Sequence, residues 1–387
     1  MRLCLVEEEY KEEFEVKMKV CMVTTVHGPF DDRVFHKEAK SLAKVHEVVL
    51  VAPDEERADK EVDGVRVITI KKPKSKLLHP VTMWRVFKAG FKQDCDVYHC
   101  HEPDSLMIGV LLKSLKEKRI IYDIHEHWPS EIAYGWLKVK NKISDRVVQL
   151  IALRIELFFS KFADCLIAVS DSVAERFKKR TKSLYIIPNV PLTTIFKFDE
   201  VKEDSEIVQM GGGLQSFHGV NESIHAIAKI KNKYPDIKLK IIGNILVDID
   251  STIKKHNLGN NIIFTGYLPY KDMYKEISGG KIGLLILKSD FYNSYIGLPN
   301  KLFDYMLCGK PVVASNFPEI RKVVKEANCG ILVDPTDVDE IADAILYLLE
   351  HPEEAKRMGE NGRRAVEEKY NWERMEEKLL KLYRRLK

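Results

Sequence analysis

The chain predicts an α/β fold of two domains, each built on a parallel sheet. Three observations point there. From Met18 onward short apolar strands alternate with amphipathic helices, the pattern of parallel sheets whose crossovers are helices. The pattern breaks off in a polar, charged stretch at about 189–204, with Pro188 and Pro191 at its mouth, and restarts at 206–210. A length of 387 residues holds two domains of ordinary size, each with its own core.

Taken in order, residues 1–17 stand apart. They carry Glu7-Glu8-Glu9 and Glu12-Glu13 without the apolar run of a signal peptide, and read as an N-terminal extension. The first domain is expected over 18–190, with strands at 20–25, 47–52, 65–70, 97–101, 119–123, 165–169 and 184–188. The second is expected over 191–370, with strands at 206–210, 238–243, 262–266, 281–287, 311–315 and 330–333. Residues 371–387, containing Trp372-Glu373-Arg374-Met375, form a terminal helix that either belongs to the second domain or crosses back to the first. No repeat of 20–50 residues is present, which excludes a solenoid or propeller.

Composition narrows the partners. Sixty-two basic against 58 acidic side chains leave a formal charge of +4, too balanced for an obligate nucleic-acid binder. The seven cysteines are scattered and include no Cys-x-x-Cys pair, as expected of reduced thiols in a cytoplasmic protein without structural zinc. No window approaches the roughly 18 continuous apolar residues of a membrane span. Between Lys71 and Lys92 lie seven basic residues and no acid, with Leu77, Leu78, Val81, Met83 and Trp84 among them. That mixture suits either a solvated face or peripheral contact with an anionic membrane through 71–92.

The most informative stretch runs Gly297-Leu298-Pro299-Asn300-Lys301-Leu302-Phe303-Asp304-Tyr305-Met306-Leu307-Cys308-Gly309-Lys310-Pro311. Pro299 suits a helix start and Gly309 with Pro311 a stop, so a helix is expected over 300–308. Leu298, Leu302, Phe303, Met306 and Leu307 gather on its core face. Lys301, Asp304 and Cys308 fall on the other, beside the unpaired N–H groups of the first turn. Such an end can hold a diphosphate and a sugar hydroxyl pair. Three further loops follow strands, where doubly wound sheets bind ligands. They are Val26-His27-Gly28-Pro29 with Arg33 beyond, Tyr98-His99-Cys100-His101-Glu102-Pro103, and Gly211-Gly212-Gly213 leading to His218-Gly219. Arg33 is expected to pair with Asp31 or Asp32, and alternation is taken to put His99 and His101 on opposite sheet faces. Asp94-Cys95-Asp96 enters a strand instead of following one, and His99-x-His101 shows no third ligand nearby, so no metal site is expected. His125 and Glu126, after another strand, read as acceptor-side residues or as a loop brace.

The 297–311 stretch resembles the signature of the family 4 retaining glycosyltransferases, and the resemblance extends over nearly all of 18–387. It implies the GT-B architecture, two Rossmann-like domains facing each other across a cleft. It also implies a nucleoside-diphosphate sugar donor as co-substrate, a glycan or lipid-linked acceptor, and no cofactor or metal. By the same resemblance Asp304 grips the donor ribose and His101 faces the transferred sugar. Gly28, Gly212, Gly213, His218, Asn300 and Lys301 surround the donor phosphates. The chain departs from the family where a second motif Glu is expected, at Ile296, and where phosphate-binding cations are expected, at Gly213 and His218. A nucleotide-sugar epimerase of the same architecture and a non-catalytic nucleotide-sugar-binding homologue are the alternatives.

Overall fold

The computed structural model describes residues 17–137, 141–179, 183–195 and 205–386. It divides into two compact units, one comprising residues up to Pro188 with Met375–Lys387, the other Asn189–Arg374. Each unit is a sheet covered by helices.

The first sheet contains β1 (Lys19–Val23), β2 (Glu47–Asp54), β3 (Ala58–Val62), β4 (Val65–Lys71), β5 (Val97–Cys100), β6 (Arg119–Ile124), β7 (Cys165–Ala168) and β8 (Leu184–Ile186), in the order β3-β4-β2-β1-β5-β6-β7-β8. All pairings are parallel except β3 with β4. The central strands read as continuous apolar runs because helices bury both faces. β3 is the strand absent from the sequence reading. Its Ala-Asp-Lys-Glu-Val is mostly exposed at the sheet edge, so it lacks an apolar pattern. Asp63 and Gly64, both at positive φ, make the two-residue turn into β4.

The second sheet is wholly parallel: β9 (Ser205–Leu214), β10 (Leu239–Ile245), β11 (Ile262–Gly266), β12 (Gly280–Leu285), β13 (Val312–Ser315) and β14 (Gly330–Val333), in the order β11-β10-β9-β12-β13-β14. Ile207, Ile224, Ile227, Leu239, Ile241 and Ile282 belong to its buried core. In each sheet the winding direction reverses once, between β1 and β5 and between β9 and β12. The loops after those four strands therefore diverge and leave a crevice, the place where such sheets bind ligands.

The last helix, Trp372–Arg385, starts in the second unit. There the Trp372 N–H donates to Pro191 O at 2.8 Å, and Glu373 accepts from Thr193. From Met375 its residues pack with the first unit, where Glu376 accepts from Ser41 Oγ at 2.7 Å. Of the proposed extension, only Lys17 lies within the described residues.

Candidate active site

In the second unit the signature helix spans Asn300–Leu307, with Pro299 at its cap position and no side chain capping it. Tyr305 anchors it: its hydroxyl accepts from the Met210 N–H at 2.9 Å and donates to Leu284 O, which ties the helix to β9 and β12. The helix is more enclosed than its pattern implied. Asp304 and Cys308, expected on an open side, are buried. Asp304 faces the helix Tyr270–Ser278, where the Tyr274 hydroxyl donates to Oδ1 at 2.7 Å. A carboxylate can only accept, so the 3.1 Å contact between the Tyr274 and Tyr270 hydroxyls is donated by Tyr270. Tyr274 thus fixes the carboxylate from behind, a role the sequence did not disclose.

Lys301 is different. Its ammonium makes no hydrogen bond or ion pair with the described residues, and burial lowers its pKa to about 8, with Asp304 partly opposing. Space for it comes from Gly211, where an added Cβ would stand 2.8 Å from Lys301 Nζ. This corrects the expectation of a glycine-rich loop, because Gly211, Gly212 and Gly213 lie within β9, which runs on to Leu214. The turn itself is Ser216–His218, closed by Gly219 at φ 61°, where a side chain would strike Ile286 O. Gly212 is exposed, with nothing within 4 Å of a Cβ built on it, and Gly213 abuts Leu246. His218 cannot stand in for a missing cation. Burial, then the Lys301 charge, push its pKa down to about 3, and Nδ1 accepts from the Gln215 N–H at 3.0 Å. Lys288, the lysine preceding Lys301 in the chain, is matched by Glu222 at 2.7 Å. Ile296 is buried, and Asn300 is exposed at the helix start.

In the first unit, charged and imidazole groups crowd the ends of β1, β5 and β6. Arg33, on a wide helical turn over Asp32–Ala39, is buried and bidentate to Asp123 at 2.9 and 3.0 Å. It also contacts Glu38 at 2.9 Å and donates to Ile187 O at 3.0 Å. This overturns the expected pairing with Asp31 or Asp32. Asp31 instead caps the Arg33 and Val34 N–H groups, and Asp32 binds Lys37. His125 sits 3.0 Å from Asp123, and His101 Nδ1 lies 3.4 Å from His125 Nε2. His99 and His101 stack at 4.7 Å, on the same side of the sheet, because residues two apart on a strand share a face. The assignment to opposite faces was an error of register. His99 Nδ1 meets the Tyr383 hydroxyl at 2.9 Å. His101 is enclosed, and its Nε2 has no partner among the described residues.

Burial alone would raise Asp123, but the Arg33 guanidinium and then His125 hold it well below the carboxylate range. Burial pushes Glu38 well up despite Arg33. Burial also holds His99 well down and His125 at about 4. His27 goes the other way. Burial is outweighed by a 3.1 Å contact with Asp31 and by Glu102, and its pKa rises to about 9. Glu102 laces the two crevice loops together by accepting from Thr24 Oγ1 and the Thr25 N–H. Gly28 is exposed with nothing within 4 Å of an added Cβ, so the protein itself does not demand glycine there. Glu38, His99, His101 and Asp123 bring ligand-type atoms within 4.8 Å of one another, supplying the neighbours that the sequence reading of His99-x-His101 lacked. Arg33 already occupies the two carboxylates. Asp94 and Asp96 are engaged elsewhere, with Lys118 and the Lys19 N–H.

Two family models match this arrangement in tandem: Glycosyltransferase Family 4 over residues 32–190 and Glycosyl transferases group 1 over 193–365. Together they span most of the chain, and it belongs to the family 4, group 1 glycosyltransferases. An uncharacterized glycosyltransferase of Methanocaldococcus jannaschii is 25% identical over 79% of this chain and 79% of its own. The GDP-mannose-dependent alpha-(1-6)-phosphatidylinositol monomannoside mannosyltransferase of Mycolicibacterium smegmatis is 23% identical over 86% and 88%. Among solved structures, Anabaena HepE in complex with UDP-glucose superposes with a TM-score of 0.70 at 16% identity, covering 94% of this chain and 98% of that one. The fold is GT-B, and the protein is a glycosyltransferase.

Proposed function

We propose that the enzyme transfers a hexosyl group from a nucleoside-diphosphate sugar, with retained anomeric configuration, to a hydroxyl of a glycan or lipid-linked acceptor. The observation that carries this reading is Lys301, a half-buried ammonium with no hydrogen bond or ion pair to the described residues, beside an uncapped helix start. A diphosphate satisfies both at once. The relatives bound to UDP-glucose or dependent on GDP-mannose support such a donor. Asp304, held by Tyr274, takes the ribose hydroxyls, and the Asn300 end of the helix takes phosphate oxygens, with Gly212, Gly213 and His218 on the neighbouring strand and turn. His101 offers its unpaired Nε2 to a sugar hydroxyl. The loop at Gly28 leaves open space for substrate.

Catalysis then rests on positioning and on stabilising the departing diphosphate. We also propose that the Glu38–His99–His101–Asp123 group works as a hydrogen-bond network around Arg33 and holds no metal. Elemental analysis of the purified protein finding a stoichiometric transition metal would overturn that. No described helix is long and apolar enough to cross a membrane, and a cytoplasmic location, with or without peripheral membrane contact, accords with the reduced thiols. The test is calorimetric titration of UDP, GDP and their monophosphates into the wild type and Asp304→Ala. Losing a charge-assisted hydrogen bond of roughly 1.5–3 kcal/mol weakens binding about tenfold or more. Absence of binding by either diphosphate removes the donor reading, and product analysis with an acceptor separates transfer from epimerisation.

A further inference from the structure

The first unit contains an apolar cavity of about 460 Å³, lined by none of the groups assigned above but bordered in sequence by His27, Glu102 and Glu126. Its walls include Trp128, Ile132, Trp136, Val148, Ile151 and Ile155, the last three from the helix Lys142–Phe159. A dry apolar cavity of about 150 Å³ already holds benzene, and drug-sized ligands occupy about 300–1,000 Å³. The polar side chains in the lining, His79 and Asp104, are spent on each other, and Asp104 also accepts from Thr25 Oγ1 at 2.6 Å. Water therefore finds little to hold there. One polar group is left over, the buried Trp128 indole N–H, which has no acceptor among the described residues.

The rim carries positive charge and exposed apolar side chains together. Lys76 Nζ lies 5.8 Å from the ring of Trp136, a wall residue, and His79 packs edge-on against the same ring at 4.8 Å. Next to Lys76 stand Leu77, 90% exposed, and Leu78, and one turn further along the following helix Trp84 is exposed under Lys88. The cavity helix exposes Ile143, Val147, Leu150 and Phe158. Of the acids near these lysines, Glu131 is raised by burial with Lys76 opposing, and Glu55 is tied to Lys72. A hydrocarbon chain fits the cavity, an ester or phosphate oxygen fits the Trp128 N–H, and an anionic headgroup fits Lys76 and the lysines after it.

We infer that this cavity takes the hydrocarbon chain of an anionic, phosphate-headed lipid, which makes the acceptor lipid-linked instead of a free glycan. The inference rests on the transferase reading for its purpose but not for its test. Trp84→Phe leaves Trp128 and Trp136 at the cavity, with Trp372 buried in the other unit as background. Vesicles of phosphatidylglycerol and phosphatidylcholine with brominated acyl chains should quench this protein's emission, and unbrominated vesicles should not. Ala152→Phe, which fills the cavity, should abolish the quenching. Ile155→Asp, at a half-exposed wall position, should do the same if the first variant folds poorly. Absence of quenching overturns the inference. So does quenching that survives both substitutions, which means adsorption without chain insertion. A dimer dissociated by Leu150→Glu, with no quenching, assigns the face to a second copy of the chain instead. Retained UDP or GDP binding without quenching removes the lipid site and keeps the donor site, and quenching without nucleotide binding does the reverse.

Discussion

In the first unit Arg33 meets Asp123 and Glu38 at 2.9–3.0 Å, and His101, His125 and His99 pack around them. In the second, Lys301 meets no acid among the described residues, and Asp304 meets a tyrosine. Both groups sit at the carboxyl ends of parallel strands, yet in one the charges are matched within the group and in the other a cation is left unmatched. A network of matched buried charges is rigid, because moving any member strands another. An unmatched cation gains most from a ligand that brings the missing charge. The difference assigns geometry to the first unit and binding energy to the second, and each prediction below breaks or sharpens that division.

The largest effect is expected from Asp123→Ala. It strands the buried Arg33 guanidinium, which typically costs about 3–5 kcal/mol. Asp304→Ala removes the acceptor of the Tyr274 hydroxyl, at about 1–3 kcal/mol. Urea unfolding of the two variants measures the contrast, and equal losses would dissolve it. Lys301→Met should show the reverse profile. Removing an unpaired, half-buried ammonium leaves stability unchanged or raised, and diphosphate affinity falls about tenfold or more, read by calorimetry. Gly211→Ala should give a milder version of the same loss. Its Cβ would lie 2.8 Å from both Lys301 Nζ and Leu214 Cδ2, so the lysine must move, at an overpacking cost of about 1–3 kcal/mol.

What the sequence disclosed follows the same division. Most strands and the signature helix were legible because apolar periodicity reports burial, and burial dominates parallel sheets. Charged strand β3 escaped that signal, although Asp63-Gly64 announced its hairpin. Arg33 and Asp123 are 90 residues apart, so no local pattern could join them, and the nearer Asp31 and Asp32 attracted the assignment. His99 and His101 needed only the strand period applied correctly. Gly211 to Gly213 looked like a loop because glycine is rare inside strands. Lys301 Nζ beside Gly211, and the 1.7 Å that would separate a Cβ on Gly243 from Gly211 O, are packing facts with no sequence marker.

The smallest effects are those of pH, and both are losses on the alkaline side, read as stability in the first unit and as affinity in the second. His27 has a pKa raised to about 9 from an ordinary 6.5, so its stabilising contribution is complete below about 6.5 and is lost as pH rises through about 9. Asp31 is held low by the same contact against burial and stays ionised throughout that alkaline range, so the loss follows His27 alone. Lys301 titrates near 8 in the free protein, and only its ammonium attracts phosphate. Diphosphate affinity should therefore begin to fall as pH approaches about 8 and decline steadily above it. His27→Gln removes the alkaline stability slope and leaves the affinity slope in place, whereas Lys301→Met does the opposite. Urea midpoints and calorimetric affinities collected at matched pH separate the two slopes. If His27→Gln flattened both, the loop after β1 would itself be contributing charge to the donor phosphates, and the first unit could no longer be assigned geometry alone.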